Sequence, residues 1–279
     1  ITMSDYSDII NLVGNTPLIK LKKASDITGC NILGKAEFLN PGQSVKDRAA
    51  LNMIKDAEIN NHSNKLIVEG TGGNTGIGLT IIGSALGYKT IIVMPENQSI
   101  EKINLLKNIG AQVVLTKQLP FDNPKNYIKL AQSIAKEKNA LWTNQFDNLA
   151  NREAHIKTTS QEIWDQTNGK IDAFICSIGT GGTLAGNYIG LKEKNRNIKI
   201  FCADPYGSGM YSWIRKGNPK SALSSITEGI GQSRITKNIE GIKFDGAVKV
   251  NDKIALSIIY ELISTEGLYL GPTSGINIG

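Results

Sequence analysis

The stretch KLIVEGTGGNTGIGLTIIGSALG, residues 65–87, decides the fold. Its opening KLIVEG is an apolar, β-branched run of the length of a buried strand. Glycines then interrupt the chain, and from Asn74 apolar residues recur at helical spacing until Gly87, where a helix would stop. The same strand, glycine turn and helix return at AFICSIGTGGTLAGNYIGLKEKN, residues 173–195. Further strands are predicted at KTIIVMP (89–95), AQVVLT (111–116) and IKIFCADP (198–205), and further helices at SIEKINLLKNIG (99–110) and NYIKLAQSIAKEKN (126–139). Strands alternating with helices call for an α/β fold, a mostly parallel sheet covered on both faces. Residues 203–247 are richer in Gly, Ser and Pro and read as surface excursions near a site.

The bulk composition agrees with a globular chain. Of 279 residues, 40% are apolar and 20% charged, enough to bury a core of one or two domains. The net charge of +6 is spread without a basic block, which argues against a nucleic-acid partner and suits an anionic small molecule. Cys30, Cys176 and Cys202 form no C-x-x-C pair, and His62 and His155 are not spaced as metal ligands, so no metal site is expected. No apolar run reaches about 18 residues, so no membrane span is expected either.

The glycine loops carry the chemistry. VEGTGGNTGIGL (68–79) and CSIGTGGTLAG (176–186) each lie between a strand and a helix, where unpaired N–H groups and close backbone approach make an anion site. Thr180 and Thr183 add hydroxyls. Neither loop is followed by the Gly-Lys-Ser/Thr of a nucleotide-binding P-loop. The second approximates a dinucleotide fingerprint, with Asp204 placed as a ribose-binding acid, but Leu184 stands where the third glycine belongs. A tight turn without a ligand would explain one such loop; two are harder to explain that way.

A lysine completes the pattern. In NPGQSVKDRAA (40–50), Pro41 and Gly42 break the chain, Ser44 reads as a helix cap, and Lys46 follows at a helix start, where the dipole disfavours a cation. Burial and positive potential lower an amine's pKa, so this placement suits a lysine that must lose its proton. An aldehyde cofactor with a phosphate would use the amine at one end and a glycine cradle at the other. The plainer reading is a solvated lysine beside Asp47.

Beyond these local readings, the chain resembles the cysteine synthase (O-acetylserine sulfhydrylase) family, pyridoxal-phosphate enzymes of the tryptophan-synthase-β type. LVGNTPLIKL (12–21), NPGQSVKDRAA, GTGGNTGIGL, MPENQSIEKINLLKNIGA, NQFDN, GTGGTLAG, EGIG and GPTSG occur in family order across nearly the whole chain. The resemblance implies pyridoxal 5′-phosphate as cofactor, with Lys46 as the lysine covalently joined to it. Gly179, Thr180, Gly181, Gly182 and Thr183 are similar to the phosphate loop, and Asn74 to the asparagine on the ring oxygen. Thr71, Gly72, Asn74 and Thr75 resemble the loop that takes the substrate carboxylate, assisted by Gln145, with Gly229 in a turn beside the site. Thr273, with Ser274 as the alternative, falls where a hydroxyl meets the pyridine nitrogen. A neutral hydroxyl there withdraws electrons less than an aspartate-held nitrogen would, which suits prompt loss of a β-leaving group.

The implied reaction is β-replacement, O-acetyl-L-serine plus sulfide giving L-cysteine and acetate, with Lys46 as base toward the α-proton. Cystathionine β-synthase or cysteine desulfhydrase activity is the alternative on the same fold. A non-catalytic binding relative is the alternative of another class. The family commonly reads T-S-G-N-T where this chain has Gly72, and one hydrogen bond lost to a charged carboxylate costs about 1.5–3 kcal/mol. The resemblance further implies two three-layer αβα domains with mostly parallel sheets and the cofactor in the cleft between them. Residues 44–146 would form the smaller, mobile substrate-loop domain, and 1–43 plus 147–279 the larger cofactor-phosphate domain. It also implies a homodimer, with a serine acetyltransferase as an open further partner, and the cysteines, lying mostly in apolar runs, suit a reducing, cytoplasmic compartment.

Overall fold

The computed structural model describes residues 8–221 and 224–279. Its strands are β1 (Leu18–Lys20), β2 (Leu33–Lys35), β3 (Leu66–Gly70), β4 (Lys89–Pro95), β5 (Gln112–Thr116), β6 (Leu141–Trp142), β7 (Ala173–Cys176), β8 (Lys199–Pro205) and β9 (Gly246–Val250). Its α-helices are α1 (Lys22–Thr28), α2 (Lys46–Ile59), α3 (Asn74–Ala85), α4 (Ile100–Asn108), α5 (Tyr127–Glu137), α6 (Leu149–Ala154), α7 (Ser160–Gln166), α8 (Gly182–Lys194), α9 (Met210–Lys216), α10 (Asp252–Glu266) and α11 (Pro272–Ile278). Each strand and helix predicted above is present, with ends shifted by a few residues at most.

The chain divides into two compact units. The first holds residues up to Asn15 with Glu37–Ala154, the second Thr16–Ala36 with His155–Gly279. The first unit extends to both sides of the 44–146 segment for packing reasons. Arg48 forks onto Glu37, with Nε to Oε2 and Nη2 to Oε1 both at 2.8 Å. On α6, Ala150 packs with Ala49 and Met53, and Asn52 Nδ2 donates to Ala150 O at 2.7 Å.

In the first unit the sheet is wholly parallel, in the order β5-β4-β3-β6, with Val68 opposite Ile91 and Glu69 opposite Ile92. Strand pleating sends alternate residues to opposite faces. Ile67, Ile92 and Met94 meet α2, α3 and α4 on one face, and Val68, Ile91 and Val93 meet α5 on the other. Burial on both faces is why β4 reads as an unbroken apolar run. Each fully buried Ile or Leu here stabilises by about 1.5–3 kcal/mol relative to exposure.

The second unit carries the parallel sheet β7-β8-β9 and the antiparallel pair β1-β2. Ile200 and Cys202 of β8 face a core made with α7, α8 and α9 that includes Leu184, Leu191 and Met210, while Ala203 turns to α10 and α11. Leu184 is fully buried, so the residue that spoils the dinucleotide fingerprint is a core residue. The 203–247 stretch, of which Ala222 and Leu223 lie outside the described residues, is more than surface: it holds α9 and the buried Thr236, Asn238 and Ile239. Cys202 is buried and Cys176 partly so, whereas Cys30 is exposed, and no disulfide joins them.

Helix α11 crosses α10 where Gly275 lies against the Ala255 carbonyl, so closely that a β-carbon at 275 would overlap the oxygen. Gly275→Ala should therefore lift α11 from α10 and cost about 1–3 kcal/mol, seen as a lower thermal unfolding midpoint. An unchanged midpoint would mean that the helix pair is slack.

Candidate active site

In the first unit, the turn before α2 is clamped from several sides. Asn40 is buried, accepts from Gly14 N at 2.8 Å through Oδ1, and donates through Nδ2 to Glu37 O and Oε2, each at 2.9 Å. Asp47 is fully buried; its Oδ2 accepts from Gly42 N, and its Oδ1 has no hydrogen-bond partner. β-Carbons at Gly42 and Gly78 would stand 2.5 and 2.9 Å from that Oδ1, so only glycine lets both backbones close on the carboxylate. Burial raises the Asp47 pKa to about 6, opposed by the Gly42 N–H and reinforced by the Glu37 charge. Lys46 is the first residue of α2, partly buried, and its N–H donates to Ser44 Oγ at 3.2 Å. The Ser44 hydroxyl thus serves the helix start, as expected, one residue before the observed cap, Val45.

Asp47 against Gly78 sets the start of α2 alongside the first turns of α3, and there lies the second element. Thr71 N donates to Val93 O at 3.0 Å, and Thr71 Oγ1 accepts from Gly73 N at 3.3 Å. Thr75 Oγ1 donates to Gln145 Oε1 at 2.6 Å, Gln145 Nε2 donates to Gly70 O at 3.4 Å, and Asn151 Nδ2 holds Gln145 O at 2.8 Å. Thr71, Gly72, Asn74, Thr75 and Gln145 are therefore one cluster; Asn74 is its exposed member.

Behind this cluster sits Glu69, which sequence reasoning missed. It is fully buried and accepts from Thr143 Oγ1. Burial pushes its pKa to about 7, although Thr143 and the N–H groups of Gln145, Asn144 and Gly70 favour the charge. A glutamate inside the apolar run of β3 was the available signal. Gln98 and Lys102, which flank Gly72 and Gly73, were missed too, because nothing in their local pattern marks them.

In the second unit, Gly179–Thr183 turn from β7 into α8. Gly181, at φ +86°, is the cap of α8. A β-carbon at Gly179 would overlap Gly229 O, and one at Gly181 would overlap Ile239 Cγ2. Thr236 Oγ1 holds Thr180 O at 2.7 Å, Gly182 N donates to Thr180 Oγ1 at 3.3 Å, and Thr183 Oγ1 lies 3.2 Å from His155 Nε2. Gly229, at φ +77°, and Gly231, whose N donates to Ile178 O at 2.8 Å, bring their turn against this one. Thr273 Oγ1 donates to Glu228 O at 3.4 Å, and Asn277 Oδ1 accepts from Ser177 N at 2.8 Å. Gly179–Thr183, Gly229 and Thr273 are thus brought together, with Ser274 next along α11. Asp204 is engaged elsewhere: Lys249 Nζ and Tyr211 N reach its Oδ2 at 2.9 and 2.7 Å, which is a structural role. Among the described residues, no group of three or more His, Cys, Asp or Glu is placed to hold a metal ion, and no helix is long and apolar enough to cross a membrane.

Residues 9–279 match the family described as pyridoxal-phosphate dependent enzyme. The chain belongs to the pyridoxal-phosphate dependent enzymes. It is 52% identical over 274 residues to cysteine synthase 1 of Emericella nidulans, covering 95% of this chain and 74% of that one. It is 50% identical over 274 residues to cysteine synthase 1 of Neurospora crassa, covering 95% and 73%. A crystal structure of a hydrogen sulfide-producing enzyme from Fusobacterium nucleatum is similar at a TM-score of 0.86 and 38% identity, covering 97% of this chain and 89% of that one. The likeness accords with the α/β architecture of both units.

Glu69 binds its proton more tightly in the folded chain, at about 7, than at the usual 4.5. Its stabilising share is therefore full below 4.5 and lost as pH rises through about 7. Glu69→Gln removes this dependence, so denaturant unfolding should show the unsubstituted chain losing ground to the variant between these values and holding level above them. A pH-independent gap would mean that Glu69 ionises normally.

Proposed function

We infer that the chain is a cysteine synthase, converting O-acetyl-L-serine and sulfide to L-cysteine and acetate with pyridoxal 5′-phosphate. The observation that carries this reading is Lys46, fixed in a turn built around Asp47, in a chain 52% identical to a cysteine synthase over 95% of its length. The residues fit the cofactor. The 179–183 turn has no room for β-carbons at Gly179 and Gly181, so its lining is backbone and threonine hydroxyls at the start of a long helix, which is the donor chemistry a phosphate needs.

In this reading Gly179, Thr180, Gly181, Gly182 and Thr183 hold the phosphate, Asn74 the ring oxygen, and Thr273, rather than Ser274, the ring nitrogen. When bound, the cofactor supplies an electron sink for bonds at the substrate Cα. Lys46 Nζ anchors it covalently and accepts the Cα proton. Thr71, Gly72, Thr75 and Gln145 orient the substrate carboxylate, and Thr75 is itself held by Gln145 Oε1. Gly229 sets the wall beside the phosphate turn. The homodimer that the resemblance implies and a cytoplasmic location belong to the proposal, with a serine acetyltransferase as an open further partner.

A second reading, cysteine desulfhydrase, draws on the Fusobacterium nucleatum structure, whose title names a hydrogen sulfide-producing enzyme. O-acetylserine with sulfide, cysteine alone, and serine with homocysteine, assayed side by side, separate the two readings and cystathionine β-synthase activity. Cysteine formation should dominate; hydrogen sulfide release from cysteine at a higher rate would favour the second reading. Lys46→Ala should lose the visible absorbance of lysine-bound cofactor and about 10²–10⁴-fold or more in turnover. Gly181→Ala should keep Lys46 but release cofactor faster on dialysis, because the turn must open around Ile239.

A further inference from the structure

Gly72 leaves a space in the substrate loop that another element fills. A β-carbon at 72 would stand 3.0 Å from Gln98 Oε1, 3.4 Å from its Cδ and 3.8 Å from its Nε2. Gln98 is partly buried and lies between β4 and α4, and its backbone is fixed on both sides. Its N–H donates to Pro95 O at 3.3 Å, and the next residue, Ser99, caps α4 by accepting from Lys102 N at 3.4 Å. One turn on, Lys102 reaches the neighbouring glycine: a β-carbon at Gly73 would be 3.5 Å from its Cδ and 3.7 Å from its Nζ. Burial lowers the Lys102 pKa. Two consecutive glycines are thus faced by an amide from the turn before α4 and an amine from α4 itself.

We propose that Gln98 is a specificity-determining residue, whose side-chain amide stands in for the hydroxyl that Gly72 lacks and binds the carboxylate of the amino-acid substrate. This rests on reading residues 71–75 as the carboxylate loop. An amide can do what the hydroxyl would, since its NH₂ offers two donors and its oxygen keeps an acceptor for the loop. It needs no side chain at residue 72, and a serine there would press on the amide. Gly72 and Gln98 are therefore two halves of one device, and Lys102 adds positive charge on the same side. The sequence departure at Gly72 then leaves carboxylate recognition intact.

The test separates this proposal from the cysteine synthase reading. L-alanine has no β-leaving group, so titrating it into the holoenzyme and following the visible cofactor absorbance reports binding without turnover. L-alaninamide, titrated in parallel, lacks the carboxylate. Gln98→Ala should weaken L-alanine about tenfold or more, the loss of a hydrogen bond to a charged group, and L-alaninamide less than about twofold. Gln98→Glu, which keeps the shape but adds an anion, should weaken L-alanine at least as much. Gly72→Ser combined with Gln98→Ala should recover L-alanine binding to within about threefold of the unsubstituted enzyme. Unchanged L-alanine binding in Gln98→Ala and Gln98→Glu, or equal weakening of both probes, overturns the proposal while leaving cysteine synthase activity standing. Absorbance of the unsubstituted holoenzyme that neither L-alanine nor O-acetyl-L-serine perturbs overturns both.

Discussion

The Asp47 carboxylate lies between Gly42 and Gly78 with one oxygen hydrogen-bonded to Gly42 N and the other bare. Taking a carboxylate out of water is costly, and one backbone N–H does not offset the cost, which is why its pKa climbs to about 6. The fold accepts that cost at the one place where α2 must begin. Gly42 closes the preceding turn onto the carboxylate, and Gly78 lets α3 press against it. Lys46, one residue earlier, has its backbone position decided by a neighbour buried on every side. The Glu37–Arg48 fork and Asn40 brace the same turn from outside.

Glu69 repeats the arrangement next to residues 70–75. Its carboxylate is sealed beneath Thr143 and the backbone of Asn144 and Gln145, and Gln145 in turn holds Thr75. In both places a buried acidic group holds neighbouring backbone in position. The second unit sets its turn differently. Close backbone approach does the work there, with Gly179 against Gly229 and Gly181 against Ile239, and Thr236 tethers Thr180.

Much of the fold was legible because strands β3, β4, β5, β7 and β8 are continuous apolar runs separated by amphipathic helices. Strands β1 and β6 were not, being only three and two residues long, and neither was β9, whose GAVKV run is broken by Gly246 and Lys249. The site divides along the same line. Residues in contiguous motifs, such as Lys46 or Gly179–Thr183, could be proposed from those motifs together with the family resemblance they carry. Glu69, Gln98 and Lys102 matter through what they face across the fold, and no local pattern records that. Asp204 shows the converse: its position at a strand end suggested a ligand, but its partners are Lys249 and Tyr211.

By itself the sequence determined the α/β alternation, the two glycine turns and a lysine at a helix mouth, because strand and helix periodicity and glycine's lack of a β-carbon act over a few neighbouring residues. Only the tertiary structure decided that Asp47 is buried against Gly78, that Gly229 roofs Gly179, and that Gln98 fills the space beside Gly72. Those contacts join residues far apart in the chain, and they exist only once parallel strands and their covering helices have brought separate loops together within each unit.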